Sequence, residues 1–235
     1  MHYIVLAAGR GTRLHPYTKN YPKCMLYMKD KETVAQRMVR LIKKYDSSAK
    51  ITYVLGFKHS KVENSLAGCE VAINPFYSVT NSIASLWFVK ELLDDEVTII
   101  NGDIVVSESL MDKIVKLKVK GATVLLDSSI KKDGDYNVQI NGDRVVIMSK
   151  ELSNYYGEYV GITKFDKQSA VLLKEEICKL IDDGSFDQWY ENALVQMVLN
   201  SNFELSYFDV VDEEWHEIDT VDDMLVAREL CNKEK

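Results

Sequence analysis

Apolar stretches of strand length alternate with segments of helical period along the first half of this 235-residue chain. Residues 3–7, 51–55, 70–73, 98–100 and 123–127 read as strands, being short, apolar and bounded by turn-formers. Between them, residues 33–45 place Val34, Met38, Leu41 and Ile42 on one helical face. Residues 82–93 do the same with Ile83, Leu86, Trp87 and Leu93, with Asn81 or Ser82 able to cap the helix. Residues 107–119 open on Ser107 and Glu108 and repeat Leu110, Ile114 and Leu117. Such βα alternation predicts an α/β fold with helices flanking a mostly parallel, mixed central sheet. The pattern then changes. Residues 136–140 and 144–148, joined through Asn141-Gly142-Asp143, predict a small β-hairpin insertion. A strand at 159–165, helices at 167–182 and 187–199, a strand at 204–208 and a helix from Thr220 complete the reading. Three prolines and eleven glycines leave little material for a linker, so one domain over residues 1–235 is expected.

The polar exceptions to this pattern carry the chemistry. Directly behind the first strand stands Leu6-Ala7-Ala8-Gly9-Arg10-Gly11-Thr12-Arg13-Leu14, and shortly after it Tyr21-Pro22-Lys23. Glycines at the exit of a parallel strand let backbone amides close on an anion, because no side chain holds a phosphate away. Arg13 adds a forked, permanently charged donor and Lys23 a compact ammonium, both suited to a polyphosphate. A dinucleotide-binding turn or an ordinary glycine-rich connection competes with that reading. Leu14, however, occupies the third glycine position of a dinucleotide fingerprint, and no G-x-x-x-x-G-K-[ST] loop is present.

A further polar exception is Asn101-Gly102-Asp103, which puts a carboxylate at the carboxyl end of a buried strand, the edge where open α/β sheets bind ligands. Glu217 and Asp219 arrive just before the final helix. Carboxylates from distant segments suit a divalent cation whose other ligands are waters and phosphate oxygens. The same aspartates also suit helix caps or turns. No Ser-His-Asp or Cys-His arrangement suggests covalent catalysis.

Charge narrows the partners. Lys and Arg number 29 against 36 Asp and Glu, a net charge of −7, which disfavours general nucleic-acid or polybasic membrane contact. Four scattered cysteines show no metal-ligand spacing and fit reduced thiols. No apolar window approaches a transmembrane length and no signal-peptide pattern opens the chain, so a cytoplasmic location is expected.

The L-A-A-G-x-G-T-R-L loop followed by P-K resembles the signature of the nucleotidyltransferases that activate sugar phosphates and phospho-alcohols with a nucleoside triphosphate. Among these the chain is most similar to the small cytidylyltransferases of the phosphocholine and aminoethylphosphonate type. The resemblance implies a Rossmann-like nucleotidyltransferase fold and Mg²⁺ as cofactor, held by Asp103 and Asp219, with Glu217 a weaker candidate. It implies that Arg13, Lys23, Asp103 and Asp219 carry catalysis. Residues Leu6 to Thr12, Asn81, Ser85 and Gly102 would bind the nucleotide. An asparagine followed by a serine–leucine pair, here Asn81 and Ser85-Leu86, is the family's base-reading segment, and an amide can pair with the edge of a cytosine. The sugar-nucleotide branch carries a different glycine-containing segment there, which favours CTP over UTP or dTTP. The aromatic–acidic run Phe186 to Asn192 and Gly157-Glu158-Tyr159 would form the acceptor pocket, with Glu158, Trp189, Tyr190 and Glu191 facing an amine-bearing phosphate or phosphonate. Trp189 or Tyr190 equally suits the helix core, since adjacent residues cannot share one helical face. Some relatives carry a lysine where this chain reads Asp135-Tyr136-Asn137-Val138, a departure that suggests a different acceptor.

The function so implied is transfer of CMP from CTP to phosphocholine, phosphoethanolamine, 2-aminoethylphosphonate or a similar compound. Pyrophosphate is released, and the product serves surface glycan or lipid decoration. The alternatives are a hexose-1-phosphate nucleotidylyltransferase using UTP or dTTP, and a non-catalytic nucleotide-sensing module. A homodimer through the last helix is a further expectation.

Overall fold

The computed structural model describes residues 1–130, 136–201 and 203–234. In chain order the first elements are β1 (His2–Ala7), α1 (Val34–Tyr45), β2 (Lys50–Leu55), α2 (Ser60–Glu63), β3 (Glu70–Ile73), α3 (Ser82–Trp87) and β4 (Val97–Asn101). There follow β5 (Ile104–Val106), α4 (Glu108–Lys116), β6 (Ala122–Asp127), β7 (Asn137–Asn141), β8 (Arg144–Ser149) and β9 (Gly157–Phe165). The chain finishes with α5 (Lys167–Asp182), α6 (Glu191–Ser201), β10 (Leu205–Asp209), β11 (Trp215–Glu217) and α7 (Val221–Lys233). The predicted α/β fold with a mixed sheet is what forms. Among the described residues, no helix is long and apolar enough to cross a membrane.

Contacts divide the chain into two compact units, the first comprising residues 1–79, 100–117 and 213–235 and the other residues 80–99 and 118–212. In the first unit β1 pairs in parallel with β2 and β2 with β3. β1 and β2 are apolar on both faces along most of their buried length, Thr52 being a buried polar exception, as parallel strands covered by helices are. Helix α1 is fixed at its start by a reciprocal capping box between Thr33 and Gln36, and α7 by one between Thr220 and Asp223. The two strands that the apolar pattern did not reveal, β5 and β11, form a separate antiparallel ribbon pairing Trp215 with Val106, His216 with Val105 and Glu217 with Ile104.

An apolar cluster in this unit anchors the residues next to its charged groups. It contains Leu14, Leu26, Met28, Val34, Val105, Ile218, Met224, Ala227, Leu230 and Cys231. Arg13 precedes Leu14 and Asp219 follows Ile218, while Lys23 lies beside the buried Cys24. Burying one such aliphatic side chain contributes about 1.5–3 kcal/mol, so each charged group is tethered next to a firmly seated anchor.

The second unit is richer in antiparallel pairing. β6 is parallel to β10 but antiparallel to β9, and β7 pairs antiparallel with both β8 and β9. The predicted hairpin is β7 and β8. Asn141 pairs with Arg144, so the two-residue turn falls on Gly142-Asp143, with Gly142 taking the positive φ of 63° that a side chain would resist. Three predicted helices depart from their patterns: α4 ends at Lys116, leaving Leu117 as its cap. α3 stops at Trp87 and a 3₁₀ turn at Lys90–Asp94 follows, while α6 begins only at Glu191, leaving Asp187 to Tyr190 outside it. Tyr190's amide donates to the Ser82 side chain at 2.9 Å and Ile83's amide to the Gln188 carbonyl at 3.2 Å. Those tertiary bonds hold the 187–190 backbone in place of a helical ladder.

Candidate active site

The glycine loop leaves the carboxyl end of β1 and tightens at once into a 3₁₀ turn at Thr12–Leu14. Gly11 has φ of 60°, and its carbonyl accepts from the buried Thr18 hydroxyl at 2.5 Å. Gly11 is therefore a glycine that the turn itself demands. Gly9 differs: its φ is not positive, and a Cβ built there meets nothing within 4 Å. The fold would tolerate a side chain at Gly9, so the open volume above it serves something other than packing. Leu6, Ala7, Gly9, Gly11, Thr12, Arg13, Lys23, Cys24, Gly102, Asp103 and Asp219 line one cavity of about 230 Å³. Ala8 is buried instead, its carbonyl accepting from the Phe57 amide at 3.0 Å. Arg10 lies 5.9 Å from the centre of the Phe57 ring, a cation–π contact at the edge of the loop.

Gly102 brings the first carboxylate to this loop. Its amide donates to the Leu6 carbonyl at 2.9 Å, and a Cβ there would sit 2.6 Å from the Ala7 Cβ and 2.7 Å from the Leu6 oxygen. Only glycine permits so close an approach. The β5–β11 ribbon then supplies the other carboxylate. The Ile218 amide donates to the Asp103 carbonyl at 3.1 Å, which extends the ribbon's pairing and sets Asp219 beside Asp103.

The charged groups converge on Lys23. Its Nζ donates to Asp103 Oδ2 at 2.9 Å and to Asp219 Oδ1 at 2.6 Å, and Arg13 Nη1 lies 2.8 Å from Asp219 Oδ2. Burial by itself favours the neutral amine of Lys23, but the two carboxylates outweigh it and hold the ammonium above its ordinary pKa. Burial pushes the neighbouring Cys24 thiol up to about 12, with the Asp103 charge adding to it, so this cysteine is a neutral wall of the cavity. Carboxylate oxygens of Asp103, Glu217 and Asp219 all lie within 4.8 Å of one another, the right scale for a shared cation. Oδ1 of Asp103 is buried and has no hydrogen-bond partner among the described residues, which leaves an anionic oxygen suited to a hard cation. This donor set fits Mg²⁺.

The other predicted residues belong to the second unit and divide differently. Asn81 caps α3, its side-chain oxygen accepting from the Ser82 amide at 2.8 Å, and Ser85 is buried one turn further on. Glu158 is half-buried on β9. Trp189 is 42% exposed, with the Lys150 ammonium 4.4 Å from its ring centre and the Tyr136 ring edge-on at 6.4 Å. Tyr190 and Glu191 are corrections: the expectation that they face the acceptor does not fit their burial, at 0% and 3% exposure. The Tyr190 hydroxyl is bonded to the Tyr159 hydroxyl at 2.5 Å and to the Thr163 hydroxyl at 3.2 Å, inside the core. Adjacent residues point apart, and here Trp189 faces out while Tyr190 faces in. Of the segment that departs from some relatives, Asp135 lies outside the described residues, while Tyr136 is nearly buried and donates its hydroxyl to the Asn192 side chain.

Sequence reasoning missed three contributors. Thr18 braces Gly11, Cys24 lines the cavity, and the β5–β11 ribbon registers the carboxylates. The ribbon left a faint trace in the apolar Ile104-Val105-Val106 and the alternating Trp215-His216-Glu217, each too short for periodicity to identify.

Comparison with known proteins gives the family. The Nucleotidyl transferase family model matches residues 2–136. Over 97% of this chain and 100% of the relative, the sequence is 26% identical to the CTP:phosphoglutamine cytidylyltransferase of Campylobacter jejuni. It is 24% identical, over the full length of both, to the choline-phosphate cytidylyltransferase of Streptococcus pneumoniae. The solved inositol-1-phosphate CTP transferase of T. maritima superimposes with a TM-score of 0.80 at 19% identity, covering 99% of this chain and 95% of that one. That last likeness is one of fold.

Proposed function

Since this chain belongs to the nucleotidyl transferase family, we propose that it transfers CMP from CTP to a small phosphorylated or phosphonate acceptor and releases pyrophosphate. The observation that carries the reaction type is the cluster of Lys23, Arg13, Asp103 and Asp219 beside the open volume above Gly9. The choice of CTP rests on the two cytidylyltransferases that the sequence matches over nearly its whole length.

An acceptor phosphate oxygen attacks the α-phosphorus, a new P–O bond forms, and the bond to the bridging oxygen breaks to release pyrophosphate. No protein base is needed, because a phosphomonoester with a second pKa of about 6 is already largely ionised at neutral pH. Lys23 and Arg13 neutralise charge on the triphosphate as the leaving group develops. Asp103, Glu217 and Asp219 would hold Mg²⁺, which when bound supplies further neutralisation and aligns the phosphate oxygens. The exposed Gly9 and the half-buried Gly11 leave backbone that the phosphates can approach closely. Asn81 keeps its Nδ2 donors beyond the capping bond, and these suit the O2 and N3 acceptors of a cytosine.

The acceptor we propose carries an amine. Trp189 offers an aromatic face that already holds an ammonium, that of Lys150, and Glu158 offers a counter-charge within the same unit. A CDP- or CMP-linked product of this kind would serve as donor for decorating a surface glycan or lipid. Pyrophosphate release with Mg²⁺ tests the proposal, crossing CTP, UTP, dTTP, GTP and ATP with phospho-amines, aminophosphonates and hexose 1-phosphates. Turnover restricted to CTP and an amine-bearing acceptor is the expected result. Turnover with UTP or dTTP and a hexose 1-phosphate would overturn it.

A further inference from the structure

We infer that Lys23 is the resident counter-ion of the carboxylate set and must leave it before a divalent cation can enter, so that the ion is admitted together with the triphosphate and not ahead of it. This rests on the proposed use of a metal-bound triphosphate. The Lys23 ammonium lies 2.9 Å from Asp103 Oδ2 and 2.6 Å from Asp219 Oδ1, and so fills the space those two oxygens share. Arg13 lies 2.8 Å from the other Asp219 oxygen. Both oxygens of Asp219 are therefore engaged by protein cations, although the carboxylates of Asp103, Glu217 and Asp219 are close enough to surround one ion.

An ammonium and a divalent cation cannot both occupy the space between these two oxygens. Mg²⁺ takes its ligands at about 2.0–2.1 Å, which would leave the two positive centres only a few ångströms apart. Lys23 is also mostly buried where it stands, at 15% side-chain exposure, so moving it away without a replacement leaves Asp103 and Asp219 uncompensated beside one another. A triphosphate removes that difficulty. Its oxygens give Lys23 and Arg13 new anionic partners, and the carboxylates are released at the moment a cation arrives to replace the lysine. Lys23 thus serves twice, as occupant of the cation position in the free protein and as phosphate ligand in the loaded one. The coupling is reciprocal, so whatever removes Lys23 from the carboxylates must raise their affinity for a free cation.

The test uses Mn²⁺ as the probe ion, with binding followed by titration calorimetry and by loss of the free-ion EPR signal. Without nucleotide, Lys23→Met is expected to bind Mn²⁺ about tenfold or more tightly than the wild-type protein, within the usual range of such couplings. Lys23→Gln, which keeps an uncharged N–H donor group, is expected to fall between them and serves if the methionine variant does not fold. The wild-type protein is expected to bind Mn²⁺ tightly only when the non-reacting α,β-methylene analogue of CTP is also present. Equal free-ion affinity in all three proteins, with the analogue still recruiting Mn²⁺ to the wild type, overturns the displacement and leaves the proposed function standing. Absence of Mn²⁺ binding in every protein, with and without the analogue, overturns both.

Discussion

The first unit's carboxylate–lysine cluster and the aromatic–acidic cluster around Trp189 are both rich in charge and hydrogen-bonding groups, but they differ in what their side chains are free to do. In the carboxylate–lysine cluster, the charged groups line a cavity and partner one another across segments as distant as Lys23 and Asp219. In the aromatic–acidic cluster, Tyr190 and Glu191 are buried, Tyr190 is bound into a hydroxyl network with Tyr159 and Thr163, and Trp189 stands at the surface. Ionic partners that meet at a cavity can be exchanged for a ligand's charges. A buried hydroxyl network cannot be exchanged without opening the core. The carboxylate–lysine cluster therefore suits the proposed reaction, while the aromatic–acidic one is mainly packed structure that presents one aromatic face.

Removing the centre of the carboxylate–lysine cluster should have the largest effect. Lys23→Ala is expected to lower kcat/KM for pyrophosphate release on the order of 10²–10³, the cost of a lost charge-stabilising donor, with circular dichroism confirming a folded protein. Gly102→Ala tests how the cluster is assembled. Its Cβ would meet the Ala7 Cβ at 2.6 Å, so a stability loss of about 1–3 kcal/mol in urea titration is expected, with turnover falling as Asp103 shifts. In the aromatic–acidic cluster, Tyr190→Phe should destabilise by about 1 kcal/mol through its lost hydroxyl bonds while leaving acceptor KM unchanged. An acceptor KM that rose severalfold in Tyr190→Phe would return that residue to the binding surface.

The smallest expected effect is on alkaline stability. Lys23 and Cys24 both have folded pKa values above their unfolded ones, Lys23 against the opposing effect of burial and Cys24 because of burial. Each retains its proton longer when folded, so its contribution is complete below the unfolded pKa and is lost as pH rises through the folded value. Melting temperature should hold steady near neutrality and begin to fall above about pH 9, where the unfolded thiol ionises. An unchanged melting temperature between about pH 9 and 11 would show that neither proton is retained on folding.

The residues of the carboxylate–lysine cluster were legible in the sequence because their types are unusual where they stand. Glycines follow an apolar strand, and Asp103 interrupts the edge of a sheet. What brings Asp103 to Asp219 was not legible, since the β5–β11 ribbon has strands of only three residues and pairs segments more than a hundred positions apart. Periodicity needs longer runs, and pairing partners leave no local mark. The aromatic–acidic cluster was only half legible, for a different reason. The run Phe186 to Asn192 predicts exposed and buried aromatics equally well, and the choice depended on where α6 begins. That start is set by backbone bonds to Ser82 and Ile83, a tertiary fact.

The most direct measurement is kcat and KM for Asp103→Asn and Trp189→Ala side by side, each with one amine-bearing phosphate and one hexose 1-phosphate. If the carboxylate–lysine cluster performs the chemistry and Trp189 selects the acceptor, Asp103→Asn lowers kcat by a similar large factor with any acceptor that turns over. Trp189→Ala then raises KM for the amine-bearing acceptor alone. Wild-type turnover by Asp103→Asn would contradict the assignment of the reaction to the carboxylate–lysine cluster.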